Sequence, residues 1–127
     1  MATKELTSES FTEVVSGADM VLIDFWAAWC GPCRFFAPVY ERVSQRHEDI
    51  VFGKVDTEAE PELAGAFQIS SIPTLMIIRD RVVLYAQPGA LPEQALEELI
   101  AKARAVDMDE VRRQVGDAEA GDAKATA

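Results

Sequence analysis

Two cysteines, Cys30 and Cys33, stand three residues apart just after Met20 to Ala27 (MVLIDFWA), a run that is apolar everywhere except Asp24. A nearly continuous apolar run rich in β-formers suits a central strand covered on both faces. After the cysteines, Phe36, Val39, Tyr40 and Val43 recur at helical spacing, which predicts a helix of about three turns or more starting near Cys33 and kinked at Pro38. The pair therefore falls at a strand-to-helix junction, and any fold must bury the strand while leaving that junction accessible.

The rest of the chain alternates in the same way. Phe11, Val14 and Val15 predict a short helix ending near Gly17, with Ser8 or Ser10 available as its cap. Ile50 to Val55 reads as a strand, and Pro61 to Phe67 as a short helix with proline in its first turn. Thr74 to Ile78 and Val82 to Ala86 read as an antiparallel hairpin, although Asp80-Arg81 lacks the glycine that tight turns favour. Leu96, Leu99, Ile100 and Ala103 form the apolar stripe of a helix opened by Pro92. The pattern predicts one α/β domain over residues 1–105. An acidic extension, 106–127, is expected to hold a short helix capped by Asp107 and then to lack structure.

Composition narrows the function classes. The 127 residues suffice for one domain, and 49% hydrophobic content provides a core. A formal charge of −10 repels phosphate backbones and anionic membranes, so neither nucleic acid nor membrane is an expected partner. Met1 to Ser10 carries Lys4, Glu5 and Glu9 and has no apolar signal-peptide core, so the expected location is the cytoplasm. A persistent structural disulfide is unusual there, which leaves redox or metal chemistry for the pair.

A zinc site needs about four ligands, and the chain offers one cysteine pair and one histidine. His47 follows Cys33 by 14 positions, about 20 Å along a helix at about 1.5 Å per residue, too far for shared ligation or a Cys-His dyad. Redox exchange fits the spacing. Cys30, just before the helix, meets free N–H groups and the positive dipole end, which stabilise a thiolate and make it the nucleophile. Cys33, one turn in and more buried, stays protonated until it resolves a mixed disulfide. Gly31 allows close approach of a partner, while Pro32 fixes φ and stiffens the loop. Asp24 alone reads as a satisfied core aspartate or a strand-end residue rather than a functional one.

The block Asp24-Phe25-Trp26-Ala27-Ala28-Trp29-Cys30-Gly31-Pro32-Cys33, followed by Ile72-Pro73-Thr74, resembles the thioredoxin family from about Phe11 to Ala105. The resemblance implies the thioredoxin fold, a central mixed sheet of four to five strands flanked by helices. It implies a thiol-disulfide oxidoreductase that reduces disulfides in cytosolic proteins and maintains redox homeostasis. By the same resemblance Pro73 is a cis-proline against the disulfide that, with Gly31 and Pro32, tunes the redox pair. Asp24 becomes a buried proton acceptor for Cys33, and Lys54 its neighbouring cation. Trp29, Ile72, Pro73, Gly89 and Ala90 form the substrate surface, with Ile72 pairing an extended client segment.

No bound cofactor is implied. The resemblance further implies that electrons come from NADPH through the flavoprotein thioredoxin reductase, and that the partners are that reductase and disulfide-containing clients of a monomeric protein. An oxidase or isomerase role and a binding role without turnover are the competing expectations.

Overall fold

Residues 20–26 alternate between two cores, and that alternation organises the molecule. In the computed structural model, which describes residues 2–116, this segment is the central strand β2 (Met20–Trp26) of a five-stranded sheet. The other strands are β1 (Thr3–Glu5), β3 (Val51–Asp56), β4 (Thr74–Arg79) and β5 (Val82–Pro88), in the order β1-β3-β2-β4-β5. Strands β1, β3 and β2 run parallel, whereas β4 and β5 are antiparallel to their neighbours, so the sheet is mixed as expected.

Helices cover both faces. Met20 and Leu22 pack with Phe36, Tyr40 and Val43 of α2 (Gly31–Ser44) and with Leu96 and Ile100 of α4 (Glu93–Ala105). Val21, Ile23 and Phe25 point the other way, against Phe11 and Val15 of α1 (Phe11–Gly17) and Leu63 of α3 (Pro61–Ala66). Side chains two apart on a strand share a face, so Asp24 lies on the α2 side, in line with Leu22. Each fully buried aliphatic side chain in these layers contributes about 1.5–3 kcal/mol relative to exposure.

Two local expectations need correction, and one strand was not foreseen. Helix α2 begins at Gly31 rather than near Cys33, because Cys30 is its N-cap and Pro32 is accommodated in the first turn, where its missing N–H costs nothing. Ser10 occupies the N-cap position of α1 without capping it, since its Oγ accepts from Thr7 N at 3.0 Å instead. Strand β1 was not legible as a strand: Leu6 N donates to Lys54 O at 2.8 Å, and Glu41 of α2 accepts from Ala2 N and Thr3 Oγ1.

The hairpin turns without glycine. Asp80 and Arg81 both take positive φ, 51° and 66°, as type I′ turns require, and Asp80 is fixed by N–H donation to Asp19 O. Beyond α4, residues 108–116 are helical; Asp107 Oδ1 accepts from the Asp109 and Glu110 N–H groups, and Met108 is buried. Arg112 of this stretch pairs with Asp80 of the hairpin at 2.8 Å. The tail expected to lack structure lies outside the described residues.

Candidate active site

The carboxyl end of β2 delivers the cysteine pair to the sheet's edge, where α2 starts. Cys30 N donates to Ala27 O and Cys30 O accepts from Arg34 N, so the residue is held from both sides as the chain enters the helix. Cys30 and Cys33 form a disulfide with a Cα separation of 5.2 Å, within the ordinary range for such bridges. Cys30 Sγ also accepts from Cys33 N at 3.2 Å, so the sulfur itself caps α2. The contrast in burial between the two is small in this oxidised form, with 4% exposure at Cys30 and 2% at Cys33, because bridging draws both sulfurs against Ala27 and Ile72.

The Ile72-Pro73 bond is cis, and Cys30 Sγ lies 3.7 Å from Ile72 O. Gly89, at φ +117°, donates its N–H to Pro73 O at 2.8 Å, a conformation open to glycine but strained for other residues. The structure thus gathers Cys30, Cys33, Ile72, Pro73 and Gly89 from three separate segments. Trp29 stands beside them, 66% exposed.

Asp24 is fully buried, and neither carboxylate oxygen has a hydrogen-bond partner among the described residues. Burial pushes its pKa up to about 7, partly offset by the Lys54 ammonium and reinforced by the Glu5 carboxylate. Lys54 pairs with Asp24 across β2 and β3, and its ammonium sits 4.8 Å from the centroid of the Trp26 ring. Tyr40 of α2 donates to Gly53 O at 2.8 Å, and its phenol is pushed up by burial and then by the Asp24 charge.

Two residues near the pair escaped the sequence reading. Glu58 accepts from the Trp29 indole N–H at 2.7 Å and fixes the ring's orientation; a bond across 29 positions leaves no periodic signal. Phe35 is 83% exposed on the first turns of α2, and with Val39, Ala90, Leu91 and Pro92 it lines an apolar hollow next to the site. An apolar residue off the helix's buried stripe was the available clue.

Thiol-disulfide exchange needs two sulfurs that can join and part while the backbone stays put, with one of them at a site that favours its anion. The fold and this junction meet that need, and they define a thiol-disulfide oxidoreductase. Comparison with known proteins specifies it further. The Thioredoxin family model matches residues 2–102. A relative from Streptomyces coelicolor is 60% identical over 119 residues, spanning 94% of this chain and 89% of its own length. The thioredoxin of Bacillus subtilis is 41% identical over 103 residues, covering 80% of this chain and 98% of its own. Among solved structures, Plasmodium falciparum thioredoxin superposes with a TM-score of 0.73 at 35% identity, covering 79% of this chain and 98% of that one. A mutant thioredoxin from Halobacterium salinarum gives 0.76 at 29% identity, covering 83% and 93%. The chain belongs to the thioredoxin family.

Proposed function

We propose that this protein reduces disulfides in cytosolic client proteins and thereby maintains redox homeostasis, with Cys30 as nucleophile and Cys33 as resolving thiol. The Cys30 thiolate attacks a client disulfide; a Cys30–client bond forms as the client's S–S bond breaks, and one client sulfur leaves. Cys33 then gives its proton to Asp24 and attacks Cys30 Sγ. The mixed disulfide breaks, the client departs with both thiols, and two electrons have left the Cys30–Cys33 pair, which is now a disulfide.

The single observation that carries this reading is the disulfide at the N-terminus of α2, with Cys30 Sγ receiving the Cys33 N–H. A sulfur that accepts a helix N–H as a neutral atom accepts it more strongly as an anion. A carboxyl with a pKa of about 7 is suited to take a proton near neutral pH, which supports Asp24 as the base and Lys54 as the cation that steadies its charge. Gly31, Pro32 and Pro73 tune the pair by stiffening and covering it. Trp29, Ile72, Pro73, Gly89 and Ala90 receive the client, whose extended backbone pairs with Ile72 in strand addition.

Oxidised protein returns to the dithiol with electrons from NADPH through thioredoxin reductase. That reductase and disulfide-containing clients are the partners, and the protein works as a cytoplasmic monomer. Among the described residues no helix is long and apolar enough to cross a membrane.

The test is NADPH-coupled insulin reduction with thioredoxin reductase. Turnover that Cys30→Ser abolishes is the expected result, and its absence with all components active overturns the reading. Cys33→Ser should instead accumulate dithiothreitol-reversible client adducts on Cys30. A glutathione redox titration giving a clearly oxidising potential would replace reductase by oxidase or isomerase.

A further inference from the structure

Strand register lines up three charged residues across the sheet. Glu5 of β1 is opposite Lys54 of β3, and Lys54 is opposite Asp24 of β2. Thr3, Phe52 and Leu22 form the preceding row on the same face, and Thr3 Oγ1 reaches Glu41 of α2, so the charged row also faces α2. With strands about 4.8 Å apart, Lys54 stands midway between two carboxylates whose backbones are about 10 Å apart. Its ammonium lies over the Trp26 ring and, among the described residues, is in no ion pair with either. The cation is therefore shared rather than committed.

We infer that Glu5 is a positioning residue for the reaction: it competes with Asp24 for the Lys54 ammonium and so governs how readily Asp24 takes the Cys33 proton. This rests on the base role proposed above for Asp24. The electrostatics run the same way from both ends. The Glu5 charge raises the proton affinity of Asp24 while Lys54 lowers it, and Glu5 itself, exposed at the sheet's edge, is raised by partial desolvation, lowered by Lys54 and raised by Asp56. Tyr40 on α2, held to Gly53 O, also feels the Asp24 charge, while β4 pairs Asp24 with the apolar Leu75. Among the described residues, Glu5 is the carboxylate that the strand register brings to this row from outside β2 and β3. It does so on a strand held by a short ladder and the Glu41 bonds, far in sequence from the cysteine block.

The sign follows. Removing the Glu5 charge takes away a repulsion and releases Lys54 toward Asp24, so the Asp24 midpoint falls. For an exposed and a buried charge about 10 Å apart the direct repulsion alone is worth about 0.2–0.5 pH unit in dilute buffer.

The experiment is a carboxyl carbon NMR titration of Asp24 in the oxidised full chain, paired with the pH profile of client release from the mixed disulfide. Glu5→Gln should lower the midpoint by at least that amount, Glu5→Lys should lower it further, and Glu5→Asp should stay near the parent. Salt at 0.5 M should shrink the differences. In a Lys54→Met background the Glu5→Gln shift should shrink toward its direct, through-space part. Midpoints for Glu5→Gln and Glu5→Lys that coincide with the parent overturn the inference, as does an undiminished shift without Lys54. If Asp24→Asn changes the release profile while the Glu5 variants do not, the base role stands and only the inference fails. If Asp24→Asn leaves that profile unchanged, the base role fails and takes the inference with it.

Discussion

Asp24 is placed where a carboxylate is costly. Its folded pKa, about 7, lies above the ordinary value of 3.8, so the folded state binds its proton more tightly than the unfolded state does. Below about pH 4 both states are protonated and nothing is lost. As pH rises from there through 7 the folded state progressively loses stability relative to the unfolded one, and above 7 the loss is complete. Asp24→Asn removes that dependence: it should stabilise the protein by up to about 4 kcal/mol at pH 8.5 and little at pH 4, measured by denaturant unfolding at both. A gain of equal size at both values would mean that packing, not ionisation, sets the cost. At this scale the sequence was informative where chemistry is local, because Cys30 and Cys33 meet through three residues of spacing. It was silent where contact is distant. Nothing about Glu58 in the chain announces that it holds the Trp29 indole.

Strand β1 is the element that most depends on tertiary context. Three residues of strand carry no periodicity, and its stability comes from Leu6, which lies buried against Gly53 of β3. A Cβ on Gly53 would come within 2.5 Å of Leu6 Cδ1 and 3.4 Å of Leu22 O, so Gly53→Ala should destabilise by about 1–3 kcal/mol. In a Leu6→Ala background the same change should cost clearly less, and additive costs in the double-mutant cycle would exclude this clash. By contrast β2, α2 and α4 were legible, since a buried run or a helical stripe follows from burial alone. The hairpin was legible as a hairpin but not in its turn. Asp80-Arg81 adopts the left-handed geometry at a cost to Arg81, so Arg81→Gly should raise stability by about 0.5–1 kcal/mol in thermal unfolding. Asp80 is better kept, because it also pairs with Arg112.

Across the whole molecule, a formal charge of −10 acts on every encounter. Long-range attraction speeds approach of basic clients and repulsion slows acidic ones, and salt erases both. Reduction of a disulfide peptide flanked by lysines should therefore slow as ionic strength rises, while its glutamate-flanked counterpart should speed up; parallel salt responses would mean that the field is neutralised near the site. Within that field the sheet and helices form a rigid frame whose reacting atom sits on a helix end. The sulfur that accepts the Cys33 N–H is the one proposed above to be exchanged with clients. An exchange at a sulfur already capped by the helix's own N–H needs a new covalent mate at that atom and no new partner for the cap. On the proposed reading the pace of the cycle is left to collisions: how often a loaded client arrives, and how soon a donor of electrons follows it.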